Sequence, residues 1–281
     1  MKTLSSLKKD LEFNKGLFSL LEVLKTIAVS QFKILEQRIR SFDRLPQAIE
    51  SFLEFIDLTK VKHPFLDPRN KPQAVVAVTS DSGLLGGLNR QVVDAAIMEL
   101  TKIPGKLVII GERGKMYAHE SRIPFVAFSG IIDEERYGQA TQLRDYLLSQ
   151  ALNGAFGYLK VVYPRPVTFT VQRVETVSFL PYQSPRKERP AAAEELENII
   201  LESSVGSVIE YIVYLWVRHK LHEIFGLSRL AEFAARFVHL EESNQKLKDM
   251  DAKLKLEYFR VRHELIDRNM RELFAARLAF R

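Results

Sequence analysis

The chain contains no cysteine. That removes disulfides, thiolate nucleophiles and Cys-ligated zinc together, and it fits a reducing compartment. No window approaches eighteen consecutive apolar residues. The most apolar stretch, Val208 to Val217, holds Glu210 and is too short to cross a bilayer. Met1-Lys2 leads into an amphipathic pattern rather than a continuous apolar run, so no signal peptide is expected. Glycine and proline are missing from Leu227 to Arg281, and only Gly16 and Pro46 interrupt Leu4 to Asp57. Both ends can therefore be long helices. Gly16 costs about 1 kcal/mol relative to alanine in a helix interior, and Pro46 predicts a kink or restart.

Within these ends, apolar residues recur in steps of three and four. The C-terminal series is Leu227, Leu230, Ala234, Phe237, then Leu247, Met250, Leu254, Tyr258, Val261 and Leu265. The N-terminal series is Leu21, Leu24, Ala28, Phe32, Leu35, Ile39 and Phe42. Both are coiled-coil seams. Charges fill the other faces, some at pair spacing, such as Glu264 with Arg268 and Asp267 with Arg271. A continuous helix over the last stretch would run on the order of 80 Å. An exposed seam would aggregate, so the two ends are expected to pair antiparallel, with the middle of the chain attached beside them.

Between the ends the pattern changes. Three prolines at Pro64, Pro68 and Pro72 mark a non-helical connection. Ala74–Thr79, Lys106–Ile110, Pro124–Phe128, Tyr158–Tyr163 and Val171–Phe179 read as strands, alternating with helices near Arg90–Leu100, Met116 onward and Tyr137–Leu152. Strands alternating with helices imply βαβ units and a mostly parallel sheet. The expected fold class is α/β: a long antiparallel coiled coil of N- and C-terminal helices plus a Rossmann-like α/β domain. The expected divisions are residues 1–60, 61–182 and 183–281. The segment Gln183–Pro190 reads as an exposed linker. A helix from Ala191 follows, and Gly226 is expected to break or bend it.

Of the 281 residues, 46% are hydrophobic and 27% charged, which suits a folded chain. The formal charge of +6 points to an acidic partner. Basic residues are interleaved with acidic ones, and the densest basic run, Arg186-Lys187-Glu188-Arg189, sits in the linker. An acidic protein ring fits this balance as well as a nucleic acid does.

Candidate chemistry is sparse. Strand, glycine-rich loop (Ser80-Asp81-Ser82-Gly83-Leu84-Leu85-Gly86-Gly87-Leu88-Asn89), then helix is where phosphates bind in α/β folds. But no Lys-Ser/Thr follows Gly86-Gly87, and Gly83, Gly86 and Gly87 do not fit Gly-x-Gly-x-x-Gly. The loop reads as a structural turn built on Gly83, Gly86, Gly87 and Asn89, without a cofactor. His219 and His222 are spaced for a metal pair, but there is no HExxH motif and no third ligand, so no metal is expected. No carboxylate pair or Ser-His-Asp set stands out, so no catalytic residue is assigned.

The parts together resemble the gamma subunit of F-type ATP synthases, over nearly the whole chain and in the same order. Val78–Asn89 is similar to the family's TSDRGLCGGFN, with Ser82 for the Arg, Leu85 for the Cys and Leu88 for the Phe. Glu22–Ala28 echoes KAMKMVA. Leu256–His263 echoes LxYNxARQ, with Phe259 for the Asn, Val261 for the Ala and His263 for the Gln. Glu232 and Arg236 match SEHxxRM, with Phe233 for the His. The usual TQKIT is missing, and the ending from Phe274 to Arg281 is bulkier and more basic than the family's tail. The resemblance is that of a divergent member.

This likeness implies a non-catalytic rotor shaft, coupling ion flow through a membrane ring to ATP synthesis or hydrolysis in a catalytic hexamer. The implied partners are the alpha and beta subunits, an epsilon- or delta-like stalk subunit and the membrane c-ring, without nucleic acid. The implied place is peripheral, on the cytoplasmic (or mitochondrial matrix or stromal) side of an energy-transducing membrane. By position, Arg262, His263 and Asp267 correspond to residues that bond a loop of a catalytic subunit, and Leu24 to a shaft methionine beside that loop. Phe274 and Phe280, with Leu273 and Leu278, would form an apolar tip turning in an apolar sleeve. The readings left beside this one are a coiled-coil scaffold or adaptor without rotary role, a sugar-phosphate or nucleotide enzyme using the Gly83–Gly87 loop, and a nucleic-acid clamp.

Overall fold

The computed structural model describes residues 3–39, 63–68, 71–182 and 204–279. In order, the elements are α1 (Leu4–Ile39), β1 (Gln73–Val78), α2 (Leu88–Lys102), β2 (Gly105–Ile110), α3 (Glu112–Glu120), β3 (Phe125–Phe128), α4 (Arg136–Leu152), β4 (Tyr158–Pro166), β5 (Gln172–Leu180) and α5 (Val205–Ala279). Pro46, Phe42, the 183–190 linker with its basic run, and the start of the helix expected at Ala191 lie outside the described residues. So do Phe280 and the Leu278 side chain.

The chain forms two compact units, Met1–Val29 with Phe237–Arg281, and Ser30–Arg236. These bounds differ from the three-part division read from the pattern. The reason is where apolar surface is buried. The last ten residues of α1 and the first thirty-two of α5 belong with the sheet, not with the paired ends.

In the larger unit, the sheet runs β3-β2-β1-β4-β5. β3, β2, β1 and β4 are mutually parallel, and β5 pairs antiparallel with β4, Pro166 facing Gln172 and Leu159 facing Leu180. Every residue of β1 is buried, as expected of a central parallel strand covered on both faces. The pleat divides its side chains. Ala74, Val76 and Val78 join Leu143, Leu147 and Leu148 of α4 and Ile209, Val213, Trp216, Val217 and Leu221 of α5. Val75 and Ala77 face the other way, onto Val92 and Ala96 of α2 and Ala118 of α3. Within this unit α5 is thus part of the core, and its spacing of three and four from Ile209 to Ile224 is the stripe that faces the sheet.

Gly226 does not break α5, which runs through it. A Cβ at that position would stand 2.9 Å from Cδ1 of Ile39 and 3.3 Å from Nη1 of Arg136. The glycine serves close approach rather than flexibility.

In the smaller unit, α1 and α5 lie antiparallel. Lys25 of α1 pairs with Glu241 of α5, Glu22 Oε1 accepts from Asn244 Nδ2, and Lys248 Nζ stands 5.4 Å from the centre of the Phe18 ring. As numbers fall along α1 they rise along α5. The buried and half-buried positions on α1 follow the heptad step through 4, 7, 11, 14, 18, 21, 25 and 28, and those on α5 through 240, 244, 247, 251, 254, 258 and 261. Leu24 and Lys25 are both half-buried, whereas the expected seam residue Met250 is 56% exposed and Asp251 beside it is half-buried. The seam also holds a polar layer. Lys25, with only 15% of its side chain exposed, reaches Glu22 and Glu241. Glu241, first in cause, raises the Lys25 pKa, and Lys25 lowers that of Glu22.

Candidate functional site: the β1 loop and the uncovered end of α5

The loop after β1 sits between the outward windings of the sheet, at the carboxyl ends of the strands, where open α/β folds hold ligands. Here its polar groups are engaged by the chain itself. Asn89 Oδ1 accepts from the Ser80 amide at 3.1 Å, and Asn89 Nδ2 donates to Ser80 Oγ at 2.8 Å. Asp81 Oδ1 accepts from the Glu112 amide at the start of α3, an acid suited to a helix N-terminus. Thr79 Oγ1 donates to the Ile110 carbonyl and accepts from the Gly114 amide. Gly86 adopts φ 59°, and Leu84 shares that left-handed region at 64°. Gly87 does not need it, with φ −91° at the cap of α2. At Gly83 a Cβ would meet Nη2 of Arg113 at 2.9 Å.

The loop rests on α5 through an ion cluster that sequence spacing did not single out as a unit. Glu232, 5% exposed in its side chain, accepts from Ser82 Oγ at 2.8 Å, from Arg236 Nη2 at 2.6 Å and from Arg229 Nη1 at 2.5 Å. Arg236 Nη2 also donates to Ser82 Oγ at 2.6 Å. Arg229 grips Asp133 with two bonds, 3.3 and 3.2 Å. Burial alone would lower the Arg229 pKa; Glu232 and Asp133 outweigh it and raise it. Both guanidinium groups lie over the Phe233 ring, at 4.7 and 5.8 Å, a cation–π arrangement. Leu85 and Leu88 pack on Ala235 beside it. The arrangement fastens a loop to a helix.

Among the described residues no group of three or more His, Asp or Glu is placed so that it could hold a metal ion. His222 Nε2 lies 3.4 Å from Arg136 Nε. Burial first, then the Arg136 charge, pull its pKa down to about 4.

The other candidate residues lie on the last part of α5. From Arg262 to Arg277 every residue is exposed, including Arg262, His263, Asp267 and Phe274, because the seam ends at Val261, opposite the start of α1. Leu265, Ile266, Met270, Leu273 and Phe274 are 44–67% exposed there. The ion pairs along this end differ from those suggested by spacing. Glu264 pairs with Arg260 and Arg268 with Glu272, while Arg271 Nε donates to the Asp267 carbonyl rather than to its carboxylate. Leu24 is not brought near Arg262. The Lys25–Glu241 and Glu22–Asn244 contacts put Leu24 level with Glu242, twenty residues short of Arg262. At 1.5 Å per residue that is about 30 Å along the helix, so the two cannot bound one small loop. No helix among the described residues is long and apolar enough to cross a membrane.

The family model described as ATP synthase matches residues 3–279. The chain belongs to the ATP synthase gamma-chain family. Among relatives in that family, the ATP synthase gamma chain of Pelotomaculum thermopropionicum is 22% identical over 279 residues, covering 97% of both chains. That of Clostridium acetobutylicum is 27% identical over 203 residues, covering 70% of this chain and 69% of its own. Identities this low mark a divergent member. Among solved structures, a chain of the Euglena gracilis mitochondrial ATP synthase, from an assembly of OSCP, F1 and c-ring, superimposes with a TM-score of 0.72 at 14% identity, over 99% of this chain and 94% of that one. A chain from the central stalk and c-ring of the Tetrahymena thermophila enzyme gives 0.61 at 17% identity, over 80% and 99%. The fold is that of these stalk chains.

Proposed function

We propose that this chain is the non-catalytic central rotor shaft of an F-type ATP synthase, transmitting torque between an ion-driven membrane c-ring and a catalytic hexamer of alpha and beta subunits. The observation that carries the reading is the helix pair of α1 and α5, closed by a heptad seam as far as Val261 and then continued by α5 alone. A single helix twists easily. Two helices locked by a seam and by the Lys25–Glu241 layer resist relative slip, as a torque-bearing element must.

The uncovered end supplies the surfaces such a shaft needs. Arg262, His263 and Asp267 are exposed and free of side-chain ion pairs among the described residues, available to a loop of a catalytic subunit. Leu273 and Phe274 offer an apolar bearing to an apolar sleeve, and Phe280 is proposed to extend it. Leu24 is proposed to meet a different, lower part of the hexamer. The excess of 41 basic over 35 acidic residues suits acidic loops on the ring. The α/β unit is proposed to bind the c-ring and an epsilon- or delta-like stalk subunit. The chain would then be peripheral, on the cytoplasmic, matrix or stromal side of its membrane. The assemblies named for the Euglena and Tetrahymena chains, with their c-rings, support these partners.

The test is recovery of the native complex. Affinity purification from detergent-solubilised membranes should bring down a hexameric ATPase and a small membrane ring, and a bead attached to the α/β unit should rotate on ATP. Recovery of the chain with neither assembly would reject the proposal.

A further inference from the structure

The paired-helix unit holds a groove of about 860 Å³ between α1 and α5, within the range of small-molecule sites. It opens where the seam turns polar. Positions 14 and 251 hold Asn and Asp, which fill less space than the leucines above and below. Leu11, Phe18 and Leu247 form an apolar floor. Asn14, 7% exposed, lines the groove, and its Nδ2 has no hydrogen-bond partner. An orphaned buried donor costs about 1–3 kcal/mol, so an acceptor delivered there would be favoured.

Charge selects the kind of acceptor. Lys8, Lys15, Lys248 and Lys255 line the groove against two carboxylates, Glu12 and Asp251. Asp251 is already held by Lys255 at 2.8 Å. Lys248 leans over Phe18, and neither Lys8 nor Lys15 has a carboxylate in ion-pair range among the described residues. We infer that this groove binds a free single-chain amphiphilic carboxylate: the tail lies on Leu11, Phe18 and Leu247, and the head accepts from Asn14 Nδ2 and from the lysines. A phosphate would leave the apolar floor bare. A neutral chain would leave the lysines unmatched. The inference does not depend on the rotor reading, since it concerns the helix pair alone.

Decanoate titrated calorimetrically into the full-length chain is expected to saturate one site. Decanol and decyltrimethylammonium should bind at least about tenfold more weakly, about 1.4 kcal/mol. Ala252→Trp, which fills the groove from an exposed position, and the double change Lys8→Gln with Lys15→Gln, on the exposed rim, should each weaken decanoate about tenfold. Helix content and the melting curve should stay unchanged. Non-saturating uptake, equal binding of decanol, undiminished binding to Ala252→Trp, or binding of a glutamate-rich peptide but not of decanoate would each overturn the inference.

Discussion

Replacing Glu232 by alanine is expected to destabilise the larger unit by about 3–5 kcal/mol, the usual result of removing one partner from a buried ion cluster. The carboxylate is 5% exposed and accepts from Arg229, Arg236 and Ser82. Without it, two guanidinium groups that are only 20% and 15% exposed, both beside the Phe233 ring, lose the carboxylate they share. Arg229 keeps Asp133; Arg236 keeps only the Ser82 hydroxyl. At about 2–4 °C per kcal/mol for a body of this size, the melting temperature should fall by roughly 6–20 °C. Glu232→Gln retains one acceptor oxygen and should lose about half as much. Urea unfolding of the purified chain, followed by circular dichroism, measures both. A double-mutant cycle sharpens the test. Adding Arg236→Ala to Glu232→Ala removes the unmatched cation, so the double variant should be more stable than the sum of the two single losses predicts. A loss under about 1 kcal/mol for Glu232→Ala, or strict additivity in the cycle, would refute the account of this cluster as a buried clamp.

Three further outcomes follow from particular atoms. Gly111 holds φ 96°, and a Cβ there would stand 2.5 Å from the Thr79 carbonyl, so Gly111→Ala should cost about 2–4 kcal/mol in urea unfolding. His222 titrates near 4 in the folded chain against about 6.5 when unfolded; its depressed value means that stability is full above pH 6.5 and is lost as pH falls toward 4. His222→Asn should flatten that part of the stability profile, and an unchanged slope would reject it. Arg262→Ala should leave the melting temperature of the isolated chain within about 0.5 kcal/mol equivalent, since the side chain is exposed. In the assembled ATPase it should lower torque and coupled hydrolysis; unaltered rotation and turnover would count against a contact there.

Much of the architecture was legible from residue order. The five strands from β1 to β5 fall within a residue or two of the apolar β-branched runs, apart from a longer β4, because buried strands need continuous apolar sequence whatever their neighbours. The pairing of the two ends was legible because an apolar heptad stripe must be covered. Less visible was which residue takes each seam place. Lys25 and Asn244 look like surface residues in the sequence, and only the opposing Glu22 and Glu241 make their burial tolerable. The division into units was equally hidden: Ile209 to Phe225 has the spacing of any amphipathic helix, and nothing local says that its partner is the sheet.

The sequence by itself determined that long helices at both ends accompany an α/β sheet and where its strands lie, since period and turn chemistry are local properties. Tertiary structure alone decided that Gly226 is a point of contact rather than a hinge, that Ser82 is tied to Glu232 across 150 residues of chain, and that Leu24 and Arg262 stand about 30 Å apart along the helix. Those are facts of cross-chain register, and register is set only when both partners are in place.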